Sequence, residues 1–342
     1  MKKYEIRQKE YTELSDKYER LLKDKMLMKL ERDRLLTKYE NLDKHIEQFK
    51  ESHSLELKDK KKEKKSELTK QTIETPIPPE IKNPNEGVKY DPANTSLTLF
   101  KTFRGHMMSV SSVAFSPKKE ILATGSDDTT WKLWSVPNGE LIMCGEGHKG
   151  WVSSVCFSPN GAMLATASGD GSIKLWDFLK ATCKATFTEY GEAVWSCDIH
   201  HSGDFLISGE MEQVAKLWDI PCGKRRFTFR GHLDSVNCVK WQPCTNYFAT
   251  ASGDKTLSLW DIRYRMCAQN LFGHNNAVNT LAFSPSGDLL VSGDADGDAK
   301  IWDIRMVKEL ATIKCGDFGI NSVCFDKSGV VVALGTAEGK IK

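Results

Sequence analysis

A chain of 342 residues has room for one large domain and an extension. Its 48 basic and 46 acidic side chains leave a formal net charge of +2, too weak a basic field for a nucleic-acid domain. No apolar stretch reaches transmembrane length, and the start MKKYEIRQKE lacks a signal-peptide core. All ten cysteines fall between Cys144 and Cys324 without a CxxC pair or a Cys/His cluster, which suits a soluble protein in a reducing compartment.

Residues 1–57 are predicted to form a coiled coil. Leu14, Leu21, Met28, Leu35, Leu42 and Phe49 stand seven apart, beside a second seam of Tyr4, Tyr11, Tyr18, Lys25, Arg32, Tyr39 and Ile46. No Pro or Gly interrupts this heptad pattern, so self-association or a partner helix is expected through residues 4–49; a lone exposed helix is the alternative. Lys25 and Arg32 are costly on a buried seam unless their stems carry the charge to solvent. Residues 58–70 hold KDKKKEKK, a charged helical extension or an electrostatic contact for an acidic surface such as a microtubule. Residues 71–95, with Pro76, Pro78, Pro79, Pro84 and Pro92, are expected to be an extended linker.

The rest is periodic. Trp134, Trp176, Trp218, Trp260 and Trp302 share the contexts KLWS, KLWD, KLWD, SLWD and KIWD. Gly-His pairs precede four of them, ending in His106, His148, His232 and His274, and the third repeat has Glu189-Tyr190 there. Asp128, Asp170, Asp254 and Asp296 recur in a tight turn, with Glu212 and Glu338 at the matching places. Within repeat two, VSSVCF, MLATAS and SIKLWD alternate as three strands separated by PNG and GDG turns, and ATCKATF follows as a fourth.

This period resembles the WD-repeat family over residues 96–342 and implies an all-β propeller of four-stranded blades. The resemblance also implies that the turn aspartate, the histidine, a strand Ser or Thr and the tryptophan form a hydrogen-bonded set. His106, Asp128, Trp134, His148, Asp170, Trp176, Trp218, His232, Asp254, Trp260, His274, Asp296 and Trp302 are therefore expected to be structural. Repeat three, lacking the histidine and the turn aspartate, should be the least rigid blade or one whose surface is altered for a partner. Six blade-like repeats are present, the last incomplete at GKIK. Two accounts of the ring follow. A six-bladed ring could close with TLFKTF (98–103) as an outer strand, or the chain is truncated from a seven-bladed fold; truncation is preferred, because a last blade should not lose its inner packing strand.

No enzyme constellation emerges: there is no G-x-S-x-G elbow and no P-loop, and turn carboxylates spread over many repeats do not make an acid/base dyad. No catalytic residue, cofactor or metal is expected. His200-His201 reads as a surface turn in preference to a ligand pair. At the entrances to the first strands Trp151 and Trp195 stand among small or polar residues; they fit a partner-binding anchor and packing against a neighbouring loop equally well. Trp131 is given no functional role.

PNGELIMCGEGHKGW (137–151), SGDGSIKLWDF (168–178) and ASGDKTLSLWD (251–261), with the heptad arm, resemble the sperm-associated antigen 16 family of central-apparatus WD-repeat proteins in motile cilia and flagella. That resemblance implies a non-catalytic scaffold that supports central-pair assembly or stability and motility. It further implies a cytoplasmic, cytoskeletal, axonemal location and partners among central-apparatus proteins and microtubules, with neither nucleic acid nor integral membrane contact. It also implies a seven-bladed propeller. The alternative is an autophagy-type coiled-coil WD-repeat adaptor that recruits a conjugation complex to membranes.

Overall fold

A computed structural model describes residues 74–86, 99–178, 182–189 and 191–342. The predicted coiled coil and charged extension lie outside these residues. Five antiparallel four-stranded sheets follow one another, each with its strands in chain order, and a two-stranded sheet follows them. The strands of the second, Val152–Phe157, Met163–Ser168, Ser172–Asp177 and Thr182–Thr188, lie where the alternation places them. The sixth sheet holds Ile320–Phe325 and Val332–Thr336, and the GKIK end adds only a bridge from Gly335 to Ile341. TLFKTF is not a ring-closing strand: of its described residues Leu99 and Phe100 are exposed, and Phe103 packs edge-on against Trp134.

One sheet cannot bury both faces, so successive blades must cover each other. The first strand of each blade supplies two apolar residues, three apart, to the blade before it. Val152 and Val155 press on Gly125, Val236 and Val239 on Gly209, and Ile320 on Gly293, so closely that a Cβ at these glycines would come within 3.0 Å of them. In blades two and four an alanine takes this place, with Val194 and Cys197 packed beside Ala167 and Val278 and Leu281 beside Ala251. In the first blade the matching Val110 and Val113 are 48% and 56% exposed, because among the described residues no blade precedes them.

Antiparallel strands put alternate connections at opposite ends of a blade. The Gly-His loops and the aspartate turns share one face of the propeller. The turns between first and second strands, and those after each Trp-Asp, share the other. On that second face lies the described part of the proline-rich stretch. It is extended, as expected, but it does not span free: it is a strap seated across blades three, four and five. Thr75 donates through its N–H and hydroxyl to Asp219 (3.1 and 2.7 Å), and Arg226 donates to the Thr75 carbonyl. Ile77 packs against the core between blades three and four, and the Asn246 amide donates to the Pro78 carbonyl (3.0 Å). Ile81 donates to the Cys244 carbonyl (3.1 Å), and Asn83 donates to the carbonyls of Pro285 and Ser286 (2.8 and 2.9 Å). Proline favours this placement by holding the backbone extended without an N–H of its own.

Candidate functional site

In blade one Trp134 Nε1 donates to Thr124 Oγ1 (2.9 Å), which meets His106 Nε2 (2.7 Å), while Nδ1 of that ring faces Asp128 Oδ2 (2.8 Å). The chain of donors assigns the Nδ1–H tautomer. Blade two repeats the arrangement with Trp176, Thr166, His148 and Asp170, and blade four with Trp260, Thr250, His232 and Asp254. Burial pushes the Asp128 carboxyl up, but hydrogen bonds from Thr130, His106 and the backbone outweigh it and hold it below the ordinary carboxylate range. Each histidine is thus satisfied at both nitrogens and left without a free group for chemistry.

Blade five departs from the expected set. His274 Nδ1 meets Asp294 Oδ2 (2.9 Å), not Asp296, and its Nε2 meets Ser292 Oγ (2.6 Å), which also accepts from Trp302. Asp294 stands where Ser126 and Ser168 cap the turn in blades one and two. It does that work as well, accepting the N–H groups of Asp296 and Asp298, and Asp296 turns outward to the Asn276 amide (2.7 Å). Blade three also moves its carboxylate to this position. Trp218 donates to Ser208 (2.9 Å), Ser208 to Glu210 (3.2 Å), and Glu210 pairs with Lys216 Nζ at 2.6 Å. Glu210 and Lys216 are buried at 2% and 4% exposure, and a buried ion pair replaces the histidine. Glu212, the turn match, stands farther from Lys216, at 3.8 Å.

His200 is not on the surface. It is fully buried, donates from Nε2 to the Thr245 carbonyl (3.0 Å), meets Ser202 through Nδ1 and lies edge-on to Trp241. Burial, then the neighbouring His201, lower its pKa to about 4. Among the described residues no group of three or more His, Cys, Asp or Glu could hold a metal. Cys156 and Cys197 bring their sulfurs to 3.8 Å, yet the hydrogen bond between them and their burial push the Cys156 thiol well up, away from a nucleophilic thiolate.

Trp151 and Trp195 come together on the Gly-His face, their ring centroids 6.1 Å apart. Trp151 lies so close over Gly169 that a Cβ there would come within 2.3 Å of the indole. Trp195 has a sharper origin. Its blade bulges at this residue, which pairs with nothing across the sheet. At the matching places Ser111, Ser153, Asn237 and Asn279 send their side chains to the first-strand carbonyls of the next blade, those of Val152, Val194, Val278 and Ile320. Trp195 breaks that column and has no such tie. The signal was available in the sequence as one tryptophan in a line of Ser and Asn.

The two indoles, 40% and 37% exposed, wall a cavity of about 600 Å3 that Met108, Ser111, Asp127 and Ser153 complete. Trp151 packs on the turn at Gly169, as the loop-packing alternative expected, and leaves part of its ring exposed. The site offers aromatic faces, a flexible thioether and one carboxylate, with no base beside a nucleophile.

Residues 97–135, 139–177, 181–219, 223–261 and 265–303, together more than half of the chain, match the WD40 family described as WD domain, G-beta repeat. The chain belongs to this WD-repeat family. It is 49% identical over 69 residues to the Flagellar WD repeat-containing protein Pf20 of Chlamydomonas reinhardtii, covering 20% of this chain and 11% of that one. It is 36% identical over 161 residues to the human Sperm-associated antigen 16 protein, covering 39% and 26%. The two matches span about a quarter of those relatives' length or less.

Proposed function

We propose that this WD-repeat chain is a non-catalytic scaffold of the axonemal central apparatus. In this reading it supports central-pair assembly or stability, and hence ciliary and flagellar motility, through protein–protein contacts. The observation that carries the binding role is the Trp151–Trp195 wall, where an exposed aromatic replaces a residue that elsewhere ties two blades together. Large aromatics set in a shallow cavity are the side chains from which interfaces draw most of their energy. The flagellar name of one relative and the sperm association named in the other support the location, and neither name favours the autophagy-type adaptor. Partners are proposed among central-apparatus proteins and microtubules, with residues 4–49 supplying self-association or a partner helix.

The test is the location of a tagged chain in cells with motile cilia, beside a Trp151→Ala/Trp195→Ser copy. Signal along the axoneme that vanishes from axonemes lacking the central pair, and weakens at least tenfold in the double variant, is the expected result. Wild-type signal on membrane puncta with none in cilia would overturn the reading.

A further inference from the structure

The strap and the face beneath it share a register. Glu74, Glu80 and Glu86 recur every six residues. Arg263 and Arg305 follow the Trp-Asp of blades four and five at the same place in each repeat, and they meet Glu80 (2.9 Å) and Glu86 (3.7 Å). Glu74 lies between Arg226 and Arg265 (3.7 and 3.9 Å). Six residues of extended chain span at most about 20 Å, so the strap carries one acid to each of three successive blades.

One strap residue is also a chemical handle. Thr75 precedes Pro76 in an extended segment, and its hydroxyl is the donor that holds Asp219. Of the other residues that precede prolines, Ser158 and Ser284 are fully buried in strand turns and closed to any enzyme, and Ser116, half-buried before the exposed Pro117, lies on the first blade, where a phosphate would touch none of the strap's contacts. Thr75 is half-buried, and Pro76 beside it is exposed. We propose that Thr75 is a phosphorylation site for a proline-directed serine/threonine kinase, and that the phosphate unlatches the blade-three end of the strap from the propeller. Thr75 Oγ1 attacks the γ-phosphorus of ATP, and the new O–P bond forms as the bond to the bridging oxygen breaks. ADP leaves with that electron pair, and the hydroxyl proton passes to the base of the kinase.

Two effects then compete. A phosphothreonine carries a charge of about −1.5 to −2, which arginines attract and carboxylates repel. Arg226 and Arg265 are near, but Arg226 is already bound to the Thr75 carbonyl, lies 4.0 Å from Asp219 and has its side chain largely covered, at 9% exposure. Asp219 touches the modified atom itself, at 2.7 Å, and the ester oxygen has no proton left to donate. Repulsion wins at this end. The anchor of Asn83 on Pro285 and Ser286 is remote from it, so the strap opens from blade three and stays held at blade five. Opening bares Arg226, Arg263 and the apolar seat of Ile77, a groove suited to another extended, proline-rich acidic segment.

The experiment treats the full chain with a proline-directed kinase and ATP, maps the phosphate by mass spectrometry and follows amide exchange along the strap. Phosphate on Thr75 is expected, with exchange at the Thr75 and Ile81 amides at least tenfold faster and that at Glu86 within twofold of the unmodified chain. Asp219→Asn replaces the repelling oxygen with an amide donor, so the phosphorylated variant should keep the slow exchange. Three results would each overturn the proposal: a kinase that modifies a peptide of residues 70–80 but not Thr75 in the chain, a phosphate that leaves exchange unchanged, or an Asp219→Asn chain that opens equally. None of them bears on the axonemal reading, which rests on the opposite face.

Discussion

Lys216→Met isolates the charge that blade three has buried. In the native chain Glu210 is 2% exposed and has Lys216 Nζ at 2.6 Å, with Ser208 as its other partner. Removing one member of such a pair leaves an uncompensated buried charge, a loss of about 3–5 kcal/mol. For a domain of this size that is a fall in melting temperature of about 10 °C. Burial already raises the Glu210 pKa despite the lysine. An acid whose folded pKa is raised gives stability that is fully present below its unfolded value, about 4.3, and lost as pH rises through the folded one. Without the lysine the folded value climbs further, so the deficit of Lys216→Met should be small at pH 5 and full at pH 8. Thermal unfolding at both values measures it. The double variant Glu210→Met/Lys216→Met, with no charge to strand, should recover most of the loss. A deficit under about 1 kcal/mol, equal at the two pH values, would refute the reasoning, since that is how an exposed pair behaves.

Trp195→Ser should weaken any partner that uses the aromatic wall at least tenfold, or about 1.4 kcal/mol, measured by co-purification against wild type from ciliary extract. Gly145→Ala would set its Cβ about 2.0 Å from the Trp131 indole, which is 2% exposed between blades one and two; a loss of about 1–3 kcal/mol is expected in denaturant unfolding. His200, with a folded pKa near 4 against an ordinary 6.5, binds its proton more weakly when folded. Its stability is complete above about pH 6.5 and is lost as pH falls toward 4, by up to about 3 kcal/mol, so His200→Asn should flatten the stability profile over that window.

The blades were legible because their period is long and their strands alternate cleanly, so the strands of repeat two could be drawn residue by residue. The carboxylates of blades three and five were not. Alignment by the tight turn picks Glu212 and Asp296, whereas the backbone turns Glu210 and Asp294, two residues earlier, toward the tryptophan network. Sequence position names the turn; which carboxylate points inward depends on the strand pleat. His200 was misplaced for a similar reason, since a histidine in a polar turn looks exposed until Trp241 of the next blade closes over it. The strap was missed because proline marks an extended backbone without saying what lies alongside. Its spacing of acids acquires meaning only beside arginines that the fold brings together from distant repeats. Trp195 was noticed for its size, yet its singularity lies in the hydrogen bond its neighbours make and it does not.

The packing of Val152 and Val155 on Gly125 has a direction. The pegs always belong to the later blade and the socket to the earlier one, so the two sides of a blade are as different as the two ends of a brick with one stud. Socket size also alternates, glycine in blades one, three and five and alanine in two and four. A blade is therefore not a spare part: blade four moved ahead of blade two would press Val152 and Val155 on Ala251 instead of the smaller Gly125. The order of the repeats is written twice, once in the peptide chain and once in the shapes of their flanks.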